Sequence, residues 1–322
     1  MRIAAIDLGT VSSRLLTARV ENGRVVDSTK RTVITDLGEG VDATGRLGDA
    51  AIARVVDACA GFVREIAAFG PDAVCTTLTS AARDADNGAE LLDGLAALGL
   101  HPQVIPGEIE ARLTFYGVAH DFAGERIAVA DSGGGSTELA LGSYVPGEPL
   151  ALEAVRSLNI GCRRVTDRFL SGDPPTADEI GRAAAWAHDQ FAAYWQDRAS
   201  RPDRLVAVGG TVTTLVAMAH ELAVYDSSFV HLRELPIADV EKCIELMRVR
   251  TRAQIAKLPG IQPKRAPVML GGALIMRELM RAAGYEMLTV SENSLLVGMA
   301  HTVAEVLEGH EPVIGWTPEL SR

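Results

Sequence analysis

Aromatic residues make up only 5% of this chain of 322 residues. Cysteine is scarcer still: Cys59, Cys75, Cys162 and Cys243 are scattered, and no two form a C-x-x-C pair. That excludes a disulfide framework and a cysteine-rich zinc module, and it suits reduced thiols in the cytoplasm. No apolar run reaches the ~18 residues of a membrane span. The opening MRIAAIDLG carries an acid at position 7 and reads as a strand, not a signal peptide. Positive charge is also in short supply. Lys and Arg number 31 against 42 Asp and Glu, a net charge of −11, so no broad nucleic-acid face is expected. A small anion remains possible, because metal ions and oriented backbone N–H groups hold phosphate without a basic surface.

Glycine, by contrast, is concentrated. Residues 131–139 read DSGGGSTEL, two acids flanking three glycines and two hydroxyls. An ordinary β-turn needs one glycine, or two. Three in a row give up packing and cost chain entropy, so something has to approach this backbone closely.

Residues 3–17, IAAIDLGTVSSRLLT, line up with residues 127–141, IAVADSGGGSTELAL, 124 positions later. Ile3, Ala4, Asp7, Gly9, Ser12 and Leu15 meet Ile127, Ala128, Asp131, Gly133, Ser136 and Leu139; Ser13 meets Thr137, and Arg14 meets Glu138. Each copy reads as strand, tight turn, strand, with a tip able to cradle phosphate.

The remaining pattern supports duplication. A third strand is expected over 24–35. A helix over 49–69 has Ile52, Val55, Val56, Cys59, Phe62, Val63 and Ile66 on one face and is stopped by Gly70-Pro71. Then come a strand at 73–78, a helix at 88–97, a strand at 102–105 and a helix from Glu108. The second half reads as strands at 127–131, 136–142 and 150–159, helices at 161–171 and 176–198, and a strand at 204–208 running into Gly209-Gly210-Thr211 and a helix. Helices at 237–256 and 266–283, a strand at 287–290 and a final helix over 293–308 follow; the tail 309–322 reads as irregular. The expectation is an α/β protein of two βββαβαβα domains, 1–122 and 123–322, with the last helix free to pack back on the first. A cleft between such halves is a usual home for a small ligand.

This order, with Asp-x-Gly at each tip, resembles the actin-like (ribonuclease H-like) superfamily of actin, sugar kinases and heat-shock chaperone ATPases. Within it the chain resembles the exopolyphosphatase / guanosine pentaphosphate phosphatase family. The stretches that carry the likeness are AAIDLGTVSSRLL (4–16), LGEGVDATGRL (37–47), TSAARDADNGAELL (79–92), PGEIEARLTFYGV (106–118), DSGGGSTELALG (131–142), SLNIGCRRVTDRFL (157–170) and VGGTVTTL (208–215). The family's first tip usually reads Asp-Ile-Gly-Ser-Asn-Ser; here Val11 stands at the asparagine position, and Ser132 replaces the apolar residue after the second acid.

The resemblance implies attack of water on a terminal phosphoryl group. It makes Glu110, just before Ala111-Arg112, the catalytic base, with Glu138 positioning water or sharing the ion. Asp131, with Asp7 as the symmetric acid, anchors Mg²⁺ (or Mn²⁺), for which hard oxygen ligands are suited. Ser12, Ser13, Gly133, Gly134, Gly135, Ser136 and Thr137 supply donors to phosphate, and Arg14 and Arg83 offer guanidinium forks. Gly209, Gly210 and Thr211 open a helix whose N-terminus favours anions. The implied substrate is inorganic polyphosphate of short chain length, or guanosine pentaphosphate. A non-catalytic sensor of either ligand and a sugar or acid kinase are the competing readings, and PGEIEAR favours water over a kinase acceptor. A homodimer through the second domain is implied as well. His120-Asp121 and His188-Asp189 lack the further ligands of a metal-dependent HD phosphohydrolase. Trp186, Phe191, Tyr194 and Trp195 lie at helical spacing and read as packing.

Overall fold

The computed structural model describes residues 1–196 and 200–321. In chain order the first elements are β1 (Arg2–Leu8), β2 (Ser12–Glu21), β3 (Arg24–Ile34), α1 (Val41–Thr44), α2 (Asp49–Phe69), β4 (Ala73–Leu78), α3 (Ser80–Arg83), α4 (Gly88–Ala96), β5 (Pro102–Val104) and α5 (Gly107–Ala119). Then come β6 (Ile127–Ser132), β7 (Thr137–Ser143), β8 (Ala151–Leu158), α6 (Cys162–Phe169), α7 (Ala177–Trp195), β9 (Arg204–Val208), α8 (Gly210–Ala219), α9 (Ser227–Val230) and β10 (Arg233–Pro236). The last are α10 (Ile237–Arg248), α11 (Arg252–Ile255), α12 (Ala266–Ala283), β11 (Met287–Val290), α13 (Leu295–Leu307) and β12 (Leu320–Ser321).

The chain forms two compact units, 1–124 with 143–156 and 293–322, and 125–142 with 157–292. They interleave, where the sequence suggested one cut after residue 122. In the first unit β4, β1, β2 and β3 lie in that order, with β5 parallel to the upper part of β4 and β12 antiparallel to its lower part. The second sheet runs β10-β11-β9-β6-β7-β8. Both are the actin-like α/β arrangement: a hairpin whose first strand pairs in parallel with the strand after the next helix.

In the first unit α2 buries Val55, Cys59, Phe62 and Ile66 against Ile6, Leu8, Leu15 and Leu78, while Ile52, Val56 and Val63 are half-buried beside them. This is the stripe that the 3.6-residue period marks out. α13 packs on α5 nearly backbone to backbone. A Cβ at Gly298 would stand 1.9 Å from Leu113 O, and one at Gly117 2.3 Å from Ser294 O. The last helix thus belongs to the first unit.

Several elements depart from the sequence reading, among them the short helices α1, α3 and α9, which were not foreseen. The helix foreseen over 237–256 is two, α10 and α11, because Thr251 accepts from Gln254 N and restarts the chain with a capping box. β10 was not foreseen: four residues ending in Pro236 carry no strand signal alone, and pairing with β11 makes them one. The tail is not wholly irregular, since Leu320–Ser321 adds to β4. Of the helix foreseen to residue 198, residues 197 and 198 lie outside the described residues. Phe191, Tyr194 and Trp195 of α7 are buried, and Trp186 packs on Phe169 at 5.5 Å between ring centroids. All four cysteines are free and buried.

Candidate active site

In the first unit Asp7 is the penultimate residue of β1 and pairs directly across from Arg14 on β2. The tip between them closes through Gly9 N–H to Ser12 O at 3.0 Å. In the second unit Asp131 is the penultimate residue of β6 and pairs directly across from Glu138 on β7, with Gly133 N–H to Ser136 O also at 3.0 Å. The duplication therefore holds at the level of single hydrogen bonds.

Strand alternation sorts the hydroxyls. Side chains one residue apart point to opposite faces, so Ser12 and Arg14 share one face and Ser13 takes the other. Ser13 is buried and hydrogen-bonded to Thr35 Oγ1 at 2.9 Å. Thr137 is equally buried and donates to Ile160 O at 2.6 Å. These two hydroxyls, expected to contact phosphate, instead tie each hairpin to the segment that follows it. Val11 is buried too, and its carbonyl accepts from Thr35 N and Asp36 N at 3.1 and 3.0 Å.

The glycine tip is held from behind. Gly133 O accepts from Cys162 N at 3.0 Å; Gly134 O accepts from Arg163 N and Arg164 N at 2.9 and 3.2 Å. Gly135 O accepts from Arg164 Nε at 2.8 Å. The first amides of α6, which lack intrahelical acceptors, are thus satisfied by the loop. A Cβ at Gly161 would stand 2.3 Å from Gly134 C and 2.5 Å from Gly135 N. Because a trans peptide points its N–H opposite to its C=O, the N–H groups of Gly134, Gly135 and Ser136 face away from α6. Gly133 N–H, expected among the donors, is spent in closing the turn.

The C-terminal ends of parallel strands bring further groups alongside. β9 follows β6 in register, and Gly209, at φ +99°, lies where a Cβ would be 3.1 Å from Asp131 Oδ1. Only glycine suits both that φ and that closeness. α8 then begins at Gly210, on which the Arg265 guanidinium packs, so close that a Cβ at Gly210 would stand 2.0 Å from Nη1. Thr211 is buried beside Gly272 of α12, and the glycine pair Gly271-Gly272 lets the first turns of α6 and α8 approach α12. Arg265 escaped the sequence reading; its one signal was Lys264-Arg265 directly before an apolar helix. Burial pushes the Cys162 thiol up, with Arg265 and Arg163 opposing, so it is an inert thiol.

In the first unit α3 follows β4, which pairs in parallel with β1, and it carries Arg83. Arg83 Nη1 donates to Glu110 Oε2 at 2.7 Å and to Ile105 O at 3.0 Å. Glu110 is buried in the first turn of α5. Arg14 donates to Asp7 Oδ2 from Nε at 2.8 Å and from Nη2.

Among the described residues no three His, Cys, Asp or Glu side chains converge as a metal cage. Mg²⁺ seldom needs one; it keeps waters and takes one or two carboxylates plus substrate phosphate oxygens. The acids present fit that use. Asp131 and Glu138 are buried carboxylates placed directly opposite each other, a like-charge pair that a cation relieves. Asp7 Oδ1 is buried without a hydrogen-bond partner.

Two units of this topology, each with an Asp-x-Gly hairpin tip, define an actin-like α/β protein. Residues 16–304 match the Ppx/GppA phosphatase family, and the chain belongs to it. It is 38% identical to Exopolyphosphatase 2 of Mycobacterium tuberculosis over 94% of this chain and 98% of that protein. A crystal structure of an exopolyphosphatase-like protein superposes with a TM-score of 0.87 at 33% identity, covering 95% of this chain and all of that one. The Aquifex aeolicus family member gives 0.78 at 30% identity over 96% of this chain and 98% of that one. No described helix is long and apolar enough to cross a membrane.

Proposed function

We propose that the protein is a cytoplasmic exopolyphosphatase that releases terminal phosphate from inorganic polyphosphate of short chain length, with Mg²⁺ (or Mn²⁺) as cofactor. The observation that carries this reading is the glycine tip. Three consecutive carbonyls anchored to α6 and Arg164 aim the N–H groups of Gly134, Gly135 and Ser136 the other way, an arrangement suited to phosphate oxygens. The relative's name supplies the substrate.

Gly134, Gly135, Ser136 and Ser12 bind phosphate oxygens, helped by Gly209, Gly210 and Thr211 at the start of α8. Arg83 and Arg265 meet the charge that grows on the phosphoryl group. Asp131, with Asp7 as its counterpart in the first unit, would hold the ion, which supplies a Lewis acid for those oxygens. Glu110 takes a proton from water as its oxygen bonds to the terminal phosphorus. The bridging P–O bond breaks, and its electrons leave with the shortened chain. Glu138 orients the water.

The test is phosphate release by the purified protein with Mg²⁺ from short and long polyphosphate and from guanosine pentaphosphate, beside Glu110→Gln. Release that Glu110→Gln abolishes supports the enzyme, and the substrate ranking separates polyphosphate from the guanosine alarmone. Binding without release from any substrate identifies a sensor instead. Light scattering of the same sample reads the proposed homodimer.

A further inference from the structure

Glu138 is buried on β7, and a carboxylate there can turn about two side-chain bonds before its plane is set. A group outside its own hairpin restrains it. Ser157, the seventh residue of β8, donates its hydroxyl to Glu138 Oε1 at 2.7 Å. The segment that follows is pinned in turn: Ile160 O receives Thr137 Oγ1 on the opposite face of β7, and Gly161 closes on Gly134 and Gly135. The serine is therefore part of a stretch, 157–161, whose position is set by the glycine tip itself. It is also half-buried, so its hydrogen bond is partly shielded from competing water.

We propose that Ser157 is a positioning residue for the hydrolysis, fixing the direction of the Glu138 carboxylate plane toward the attacking water. The inference rests on the reading of Glu138 given above. A hydrogen bond to a charged acceptor is about twice as strong as a neutral one. Fixing Oε1 also fixes where Oε2 points, which is what orienting a water requires.

Ser157→Ala, Ser157→Thr and Glu138→Gln test this in the full-length protein with short polyphosphate and Mg²⁺. Ser157→Ala is expected to lower kcat by about tenfold, the size expected for one charged hydrogen bond. Its KM should stay within about twofold, because the proposed role sets the serine on Glu138 and not on phosphate. Ser157→Thr keeps the hydroxyl and suits a strand; it should restore kcat. An unchanged kcat in Ser157→Ala, with Glu138→Gln inactive, overturns the role of Ser157 alone. A rise in KM without a fall in kcat overturns it as well, by making Ser157 a substrate contact. Equal losses in the Ala and Thr variants with a lowered Tm reduce Ser157 to a structural residue and overturn the proposal. Full activity in Glu138→Gln overturns the reading of Glu138 and the inference with it.

Discussion

Arg83 Nη1 lies 2.7 Å from Glu110 Oε2, so a guanidinium stands on the carboxylate proposed to accept the proton of water. The pairing links the two elements that follow β4 and β5, and Arg83 is held a second time by Ile105 O. A guanidinium fork also suits phosphate oxygens.

Replacing Arg83 should therefore act on the rate. Arg83→Ala is expected to lower kcat/KM by roughly 100-fold or more, the scale for losing a donor to developing charge. Arg83→Lys should recover the charge but not the fork, and only part of the rate. Steady-state phosphate release by the two variants reads the effect, and a wild-type rate in Arg83→Ala would contradict a role for the pair.

Glycine substitutions should separate the site from the scaffold. Gly161→Ala puts a methyl into the backbone of Gly134 and Gly135. The tip has to move, so phosphate release should fall sharply even where the variant remains folded. Gly298→Ala drives a methyl into Leu113 O at the α5–α13 contact and should destabilise by about 1–3 kcal/mol or more. Gly181, inside α7 with nothing within 4 Å of its Cβ position, should gain about 0.5–1 kcal/mol on change to Ala. Thermal melts and activity on the same three preparations give the comparison. Wild-type activity in Gly161→Ala would show that the tip tolerates displacement.

A buried imidazole pair should set an acid limit on stability. His120 and His301 stack at 3.8 Å between centroids, with planes 4° apart. Tyr116 and Tyr144 pack around them, and Tyr116 donates to Glu305 at 2.6 Å. Burial pushes His301 down to about 3, with the neighbouring His120 adding to the effect, and burial lowers His120 as well. The folded state holds both rings neutral, whereas the unfolded chain protonates them near 6.5. The contribution is complete above that pH and is lost as pH falls toward 3. From pH 6.5 to 5, His301 alone should cost about 2 kcal/mol. Urea midpoints across this range should fall, and His301→Gln should flatten the slope whatever its absolute stability. A flat wild-type profile would contradict the buried neutral pair.

Much of this was legible along the chain. The repeat at an offset of 124 placed both hairpins and both acids, because Asp-x-Gly at a strand end is a local pattern. The stripe on α2 followed from its period, and the likeness of the PGEIEAR stretch singled out Glu110. Burial of Ser13 and Thr137 was also implicit in strand alternation, but which of two adjacent hydroxyls turns inward depends on the neighbouring layer. Thr35 and Ile160 decide it, and both lie more than 20 residues further along the chain.

What the sequence could not show is everything that depends on distant backbone. Arg265 reaches Gly210 across 55 residues, and α13 reaches α5 across nearly 200. The reason for three glycines also came from packing. The close approach in that loop is made first by the chain itself, through Gly161 and the first amides of α6. Local patterns dictate strands, turns and which residue types occupy them, because those obey near-neighbour sterics. The direction in which three peptide planes face is set by what binds their carbonyls, and only the folded chain brings α6 there.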